Sequence, residues 1–194
     1  GNVTYYVLNT LPDACNCALE VAEEKGIPAH VFTTYAEGES KEYGVVMAGL
    51  AREILKNDRP FPKPCLIFSG GETTTGIPDS SVIKGHGGPS QELTCGFALV
   101  AKDAPGACML SIDSEGTDGT TIMAGGLTDS TTYGASLAKG IHLRQALKEH
   151  ATYEALMALN DCVYTGNTGT NLCDFNVLYV PADPEKKKGK EGKK

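Results

Sequence analysis

Short β-like runs alternate with amphipathic helical stretches along the 194 residues, which predicts an α/β fold: a layered domain with a parallel or mixed sheet flanked by helices. Two further observations support this class. The run from Cys65 to Phe68 is apolar without interruption, the pattern of a strand covered on both faces. Glycine- and threonine-rich loops also follow or approach the strand-like runs.

In chain order, Thr4 to Leu8 reads as a strand, and Pro12 to Lys25 as a helix with Ala14, Ala18, Leu19, Val21 and Ala22 at helical spacing before Gly26. His30 to Thr34 reads as a second strand. Ser40 to Lys56 follows as a second helix, whose buried stripe is Val45, Val46, Ala48, Leu50, Ile54 and Leu55. Pro60, Pro62 and Pro64 punctuate the chain before the Cys65 strand. A helix over Gln91 to Lys102, a strand over Cys108 to Ile112, a helix-rich stretch from Asp129 to Leu159 and a strand over Phe175 to Val180 continue the alternation. No internal repeat is visible. The chain divides into a strand-helix segment over 1–62, a main domain over 63–181 and a lysine-rich tail over 182–194 that reads as disordered.

Composition narrows the function. With 41% hydrophobic and 21% charged residues, 23 glycines and a net charge of −7, the chain is an ordinary globular domain without the basic footprint of a nucleic-acid binder. No apolar run reaches the roughly 20 residues that span a bilayer, and the first residues do not read as a signal peptide, so a cytoplasmic location away from membranes is expected. Seven cysteines without zinc-ligand spacing read as reduced structural thiols.

Three loops carry the functional signal: Ser69 to Thr74 (Ser-Gly-Gly-Glu-Thr-Thr), Glu115 to Thr120 (Glu-Gly-Thr-Asp-Gly-Thr) and Thr165 to Asn171 (Thr-Gly-Asn-Thr-Gly-Thr-Asn). Glycine allows close backbone approach, while successive N–H groups and hydroxyls supply donors to an oxyanion. In open α/β sheets ligands bind outside the carboxyl ends of the strands, where the first two loops are expected to fall. Within the loops, Ser69, Gly70, Gly71 and Thr73 are candidate phosphate binders, with Thr165, Thr168, Gly169, Thr170 and Asn171 as candidates for phosphate or a substrate carboxylate. Gly87, Gly88 and Gln91 join them at the start of a helix, where N–H groups and the helix dipole favour anions. Glu72, Asp118 and Asp129 are the loop carboxylates available to magnesium or to proton transfer. Either aspartate serves equally well as a helix cap. His30, His142 and His150 lie in no motif and read as surface or packing residues.

These motifs, together with Lys84 to Glu92 (Lys-Gly-His-Gly-Gly-Pro-Ser-Gln-Glu), Gly116 to Gly119 and Thr128-Asp129, occur in an order that resembles the carboxy-terminal MOFRL region of bacterial and archaeal glycerate 2-kinases. The likeness covers nearly all of residues 3 to 181. It implies transfer of the γ-phosphoryl group of ATP to the 2-hydroxyl of D-glycerate or a related hydroxy acid, with Mg²⁺, in a cleft between two α/β domains. Under it, Glu72, Lys84 and Asp118 are the catalytic candidates, and Asp118 and Asp129 the metal candidates. The chain would supply one wall; the partner wall is an amino-terminal kinase domain, without which the chain is expected to be inactive and, through uncovered apolar surface, to form a homodimer. One departure stands out. The family pattern Gly-Gly-Arg-Asn-Gln-Glu appears here as Gly87-Gly88-Pro89-Ser90-Gln91-Glu92, so a guanidinium that could grip an anion in a bidentate fork is missing. Lys84, His86 or the other domain would have to substitute, or the substrate differs. Two alternatives stay open: a stand-alone non-catalytic ligand-binding or regulatory module, which Pro89 suits, and a hydroxypyruvate reductase, for which Gly85 to Gly88 is a poor dinucleotide fingerprint.

Overall fold

The structure, a computed structural model, describes residues 2–182; the lysine-rich tail over 183–194 lies outside the described residues. Helix α1 (Leu11–Glu24) begins at a capping box in which Thr10 Oγ1 accepts from the Asp13 amide and the Asp13 carboxylate accepts from the Thr10 amide. Strand β1 (Ala29–Glu39) runs straight into helix α2 (Ser40–Asn57), which closes on Asp58 in the left-handed conformation. Strand β2 (Cys65–Thr74), helix α3 (Pro89–Val100), strand β3 (Cys108–Asp113) and strand β4 (Gly125–Asp129) follow. Three short helices, α4 (Thr132–Ala138), α5 (Leu143–Lys148) and α6 (Thr152–Leu159), lead to β5 (Cys162–Val163) and β6 (Asp174–Val180).

The six strands form one mixed sheet in the order β1-β2-β6-β3-β4-β5, with β1 and β2 parallel and every other pair antiparallel. The continuous apolar run of β2 has its expected cause. Leu66 and Phe68 face α1 together with Val31, Phe175 and Val177, while Cys65 and Ile67 face α2 and α3 with Met109, Leu178 and Val180. A third cluster packs the far side of α3 against α5 and α6 through Cys95, Ala98, Leu143, Leu147 and Leu156. The buried thiols Cys65, Cys95 and Cys15 belong one to each cluster and act as small apolar fillers; burial pushes the Cys65 thiol up to about 11.

Three expectations change. Thr4 to Leu8 is not a strand: residues 2–10 carry no regular structure, and Val3, Tyr5, Tyr6, Val7 and Leu8 are 70–87% exposed. Strand preference expresses fit to a half-buried pleated surface, and this segment has no neighbour to pair with. Ser69 to Thr74 is not a loop but the second half of β2, hydrogen-bonded to β1 on one side and, as far as Gly71, to β6 on the other. Strands β4 and β5 arise where helix or loop was expected. Among the described residues no helix is long and apolar enough to cross a membrane.

Helix α3 is buried at nine consecutive positions, Ser90 to Ala98, because α2, the sheet and the α5–α6 pair all pack on it. It meets α2 backbone to backbone. A Cβ on Gly44 would stand 2.0 Å from the Leu93 carbonyl oxygen, and one on Gly96 would stand 2.2 Å from that of Lys41. Gly44→Ala therefore has to force the two helices apart, and urea denaturation should show a loss of about 1–3 kcal/mol or more. An unchanged denaturation midpoint would contradict this close approach.

Candidate functional site

Strand pairing fixes where the loops gather. Thr74 pairs with Glu39, Asp174 stands between Gly71 and Asp113, and Gly125 stands between Ile112 and Val163. The carboxyl ends of β1, β2, β3 and β5 and the amino ends of β4 and β6 thus share one end of the sheet. The second loop, between β3 and β4, and the third, between β5 and β6, lie there beside the end of β2. The amino end of α3 arrives at the same place, since the Gly88 backbone approaches Asp118 so closely that a Cβ on Gly88 would lie 2.4 Å from the carboxyl carbon.

A chain of buried polar groups crosses this end. Ser40 Oγ donates to Thr73 Oγ1 at 3.1 Å, and Thr73 Oγ1 and its amide donate to Asp174 Oδ2 at 3.0 and 3.3 Å. Asp174 Oδ1 accepts from Ser90 Oγ at 3.2 Å. The Ser90 and Gln91 amides donate to Asp118 Oδ1 and Oδ2 at 3.2 and 2.9 Å, and Gln91 Nε2 reaches Thr121 Oγ1 at 2.9 Å. Asp118 is therefore the cap of α3, delivered from a distant loop because Gly88, at the cap position itself, has no side chain. Burial pushes its carboxyl up to about 7, against the two amide bonds and with the help of nearby Asp174; burial likewise raises Asp174.

The remaining candidates are divided between buried and exposed positions. Ser69, Gly70 and Gly71 are buried within β2, and Thr73 and Gln91 are held in the polar chain. Glu72 is exposed on β2 beside Glu37 of β1. Lys84 is exposed, with its Nζ on the Ser81 carbonyl oxygen at 2.9 Å. In the third loop Thr165, Thr168, Gly169, Thr170 and Asn171 are all exposed, and the loop is tied to the second by Thr168 on Glu115 and Ser114 and by Asn171 Nδ2 on Glu115 Oε2 at 3.0 Å. Asp129 caps α4, its Oδ1 accepting from the amides of Thr131 and Thr132 at 2.7 and 3.1 Å. With Asp118 and Asp129 both engaged as caps, and no group of three or more His, Cys, Asp or Glu side chains able to hold an ion among the described residues, this chain's own donors do not fit a magnesium cage.

Sequence reading missed a cavity of about 220 Å³ at this end, lined by Thr75, Ile77, Ile83, Gly85, Gly87, Gly88, Pro89, Glu92, Gly119, Thr120 and His150. In it Glu92, 1% exposed, has its Oε1 hydrogen-bonded with His150 Nδ1 at 2.7 Å, and burial raises the Glu92 carboxyl. The two residues are 58 apart in sequence. No local signal marked the pair, since Glu92 follows Ser90 and Gln91 and His150 follows Lys148 and Glu149.

Comparison with known proteins extends the description. Residues 65–174 match the model of the MOFRL family. The chain is 37% identical over 179 residues to a glycerate 2-kinase of Pyrococcus horikoshii, covering 92% of the chain and 40% of that protein. It is 32% identical over 167 residues to a putative hydroxypyruvate reductase of Agrobacterium vitis, covering 86% of the chain and 43% of that protein. The crystal structure of a glycerate kinase from Thermotoga maritima superposes with a TM-score of 0.86 at 33% identity, over 93% of the chain and 42% of the other. The chain thus spans well under half the length of these relatives.

Because the Asp118 carboxyl lies above its ordinary 3.8, its contribution to stability is complete below about pH 4 and is lost as the pH rises through about 7. Asp118→Asn keeps one acceptor for the α3 amides and removes the titration. The melting temperature of the native chain should fall more steeply between about pH 5 and pH 8 than that of the variant, and parallel curves would exclude Asp118 as the titrating group.

Proposed function

The chain belongs to the MOFRL family, and from that premise we propose that it forms one wall of the cleft of a cytoplasmic glycerate 2-kinase, in which the γ-phosphoryl group of ATP passes to D-glycerate or a related hydroxy acid. The observation that carries this reading is the convergence of two loops, the end of β2 and the α3 amino end on one side of the sheet, beside a cavity. Phosphoryl transfer needs positioning and charge stabilisation, so the exposed residues Thr165, Thr168, Thr170 and Asn171 are assigned to phosphate oxygens or the substrate carboxylate. Lys84 and Glu72, exposed at the same end, are assigned to charge neutralisation and to the polar lining of the cleft. The buried Ser69, Thr73, Gln91, Asp118 and Asp174 hold the loops and α3 in place. Magnesium, in this reading, arrives with the nucleotide phosphates and is completed by an amino-terminal kinase domain that also supplies the second wall. The isolated chain is accordingly inactive.

A chimera tests this reading. The chain replaces the matching carboxy-terminal region of the Thermotoga maritima glycerate kinase, and ADP release is followed with ATP, Mg²⁺ and D-glycerate beside the 194-residue chain alone. Turnover is expected from the chimera only; turnover by the isolated chain, or NADH-dependent reduction of hydroxypyruvate by the chimera in place of ADP release, would overturn the proposal. In the same chimera Lys84→Ala should raise the KM for D-glycerate about tenfold or more, the scale of one lost charge-assisted contact. Unchanged kinetics would remove Lys84 from the site.

A further inference from the structure

Glu92 and His150 form an acid–imidazole pair at the base of the cavity, and three features separate it from a packing contact. First, it is incompletely satisfied: Glu92 Oε1 is hydrogen-bonded with His150 Nδ1, while Oε2 is buried and has no partner among the described residues. A buried carboxylate oxygen without a donor is costly unless something else supplies one. Second, His150 sits where histidine is conformationally expensive. It follows the end of α5 with φ +49°, in the left-handed region, and the Ala151 amide closes back on the Ala146 carbonyl oxygen at 2.8 Å. Glycine is the commonest residue at that position, and here His150 instead places an imidazole at the cavity. Third, both residues line the same cavity, which Ile77, Ile83 and Pro89 make partly apolar.

The chemistry of the pair selects its ligand. A hydroxyl group both donates and accepts, so one can donate to the unpartnered Glu92 Oε2 while its neighbour pairs with His150 Nε2 in either role of that nitrogen. No lysine or arginine lines the cavity. The geometry points to a diol subsite: Glu92 and His150 receive the adjacent hydroxyl groups of a small polyol or polyhydroxy acid, with any carboxylate turned outward. Where that ligand is the phosphoryl acceptor, the inference rests on the kinase reading above and assigns the end of the molecule that enters this chain. The hydroxyl recognition itself does not depend on that reading.

The test uses the 194-residue chain with ¹³C,¹⁵N-histidine. Its His150 ring signal is identified by its loss in His150→Gln, and the chain is titrated with D-glycerate, with glycerol and with propanoate, which keeps the carboxylate and lacks the hydroxyls. Saturable shifts of the His150 signal with D-glycerate and glycerol, absent with propanoate, and at least about tenfold weaker binding in Glu92→Gln are expected. A His150 response to propanoate equal to that with D-glycerate would make the site an anion site, and no saturable His150 response to either hydroxyl compound would remove it altogether; both overturn the inference. Turnover by the chimera without a His150 response would sink the subsite and leave the kinase reading standing. A His150 response with glycerol in a chimera that never releases ADP would do the reverse.

Discussion

The two hydrogen bonds from the Ser90 and Gln91 amides to Asp118 are the constraint on which the rest of this structure depends. Helix α3 is packed between two apolar clusters, so its amino end opens inside the protein, where unpaired amides are expensive. Its cap position is glycine, and the missing acceptor has to come from elsewhere in the chain. Asp118 provides it, at the expense of burying a carboxyl whose acidity is strongly weakened. That choice fixes the second loop against α3, and the second loop in turn holds the third through Glu115 and Ser114. Ser90 then carries the contact on to Asp174 and Thr73 at the sheet. One buried cap thereby aligns the α3 entrance, two loops and the central strands.

This arrangement gives the glycines two meanings that sequence alone does not separate. A glycine-rich segment signals that something approaches the backbone closely, and an oxyanion is one such visitor. At Gly88 the visitor is Asp118, and along α2 and α3 it is the partner helix. The segment Ser69 to Thr74 is strand throughout, with Gly71 paired to Ala36 and Asp174. The third loop is exposed along Thr165 to Asn171 and is the better surface for a ligand, although the Thr165 and Thr168 hydroxyls and the Thr168 amide are bonded to protein carbonyls.

How far the fold was legible follows from the range of each interaction. Helices α1, α2 and α3 and strands β2, β3 and β6 could be read because their periodicity or apolar run is written within a dozen or so residues. Thr4 to Leu8 has strand composition but lacks a neighbour, and β4 opens with two glycines that hide its pairing to β3 and β5. The third loop's side of the sheet was set by β6 pairing antiparallel between β2 and β3, and its relation to β2 runs across more than a hundred residues. At the site, Asp118 and Asp129 could be recognised as carboxylates in turns, yet the choice of cap depended on which amides came near. His150 was invisible because its partner lies 58 residues away on α3.

The position of β6 also governs how the chain acquires its shape during synthesis. The last strand in sequence is an inner strand, wedged between β2 and β3. As the chain leaves the ribosome, β1 and β2 can pair early and β3 can pair with β4, but these are two separate half-sheets with facing unpaired edges until Asp174 to Val180 emerges. Closure of the sheet thus waits for β6, and until it is made the chain carries two adhesive strand edges.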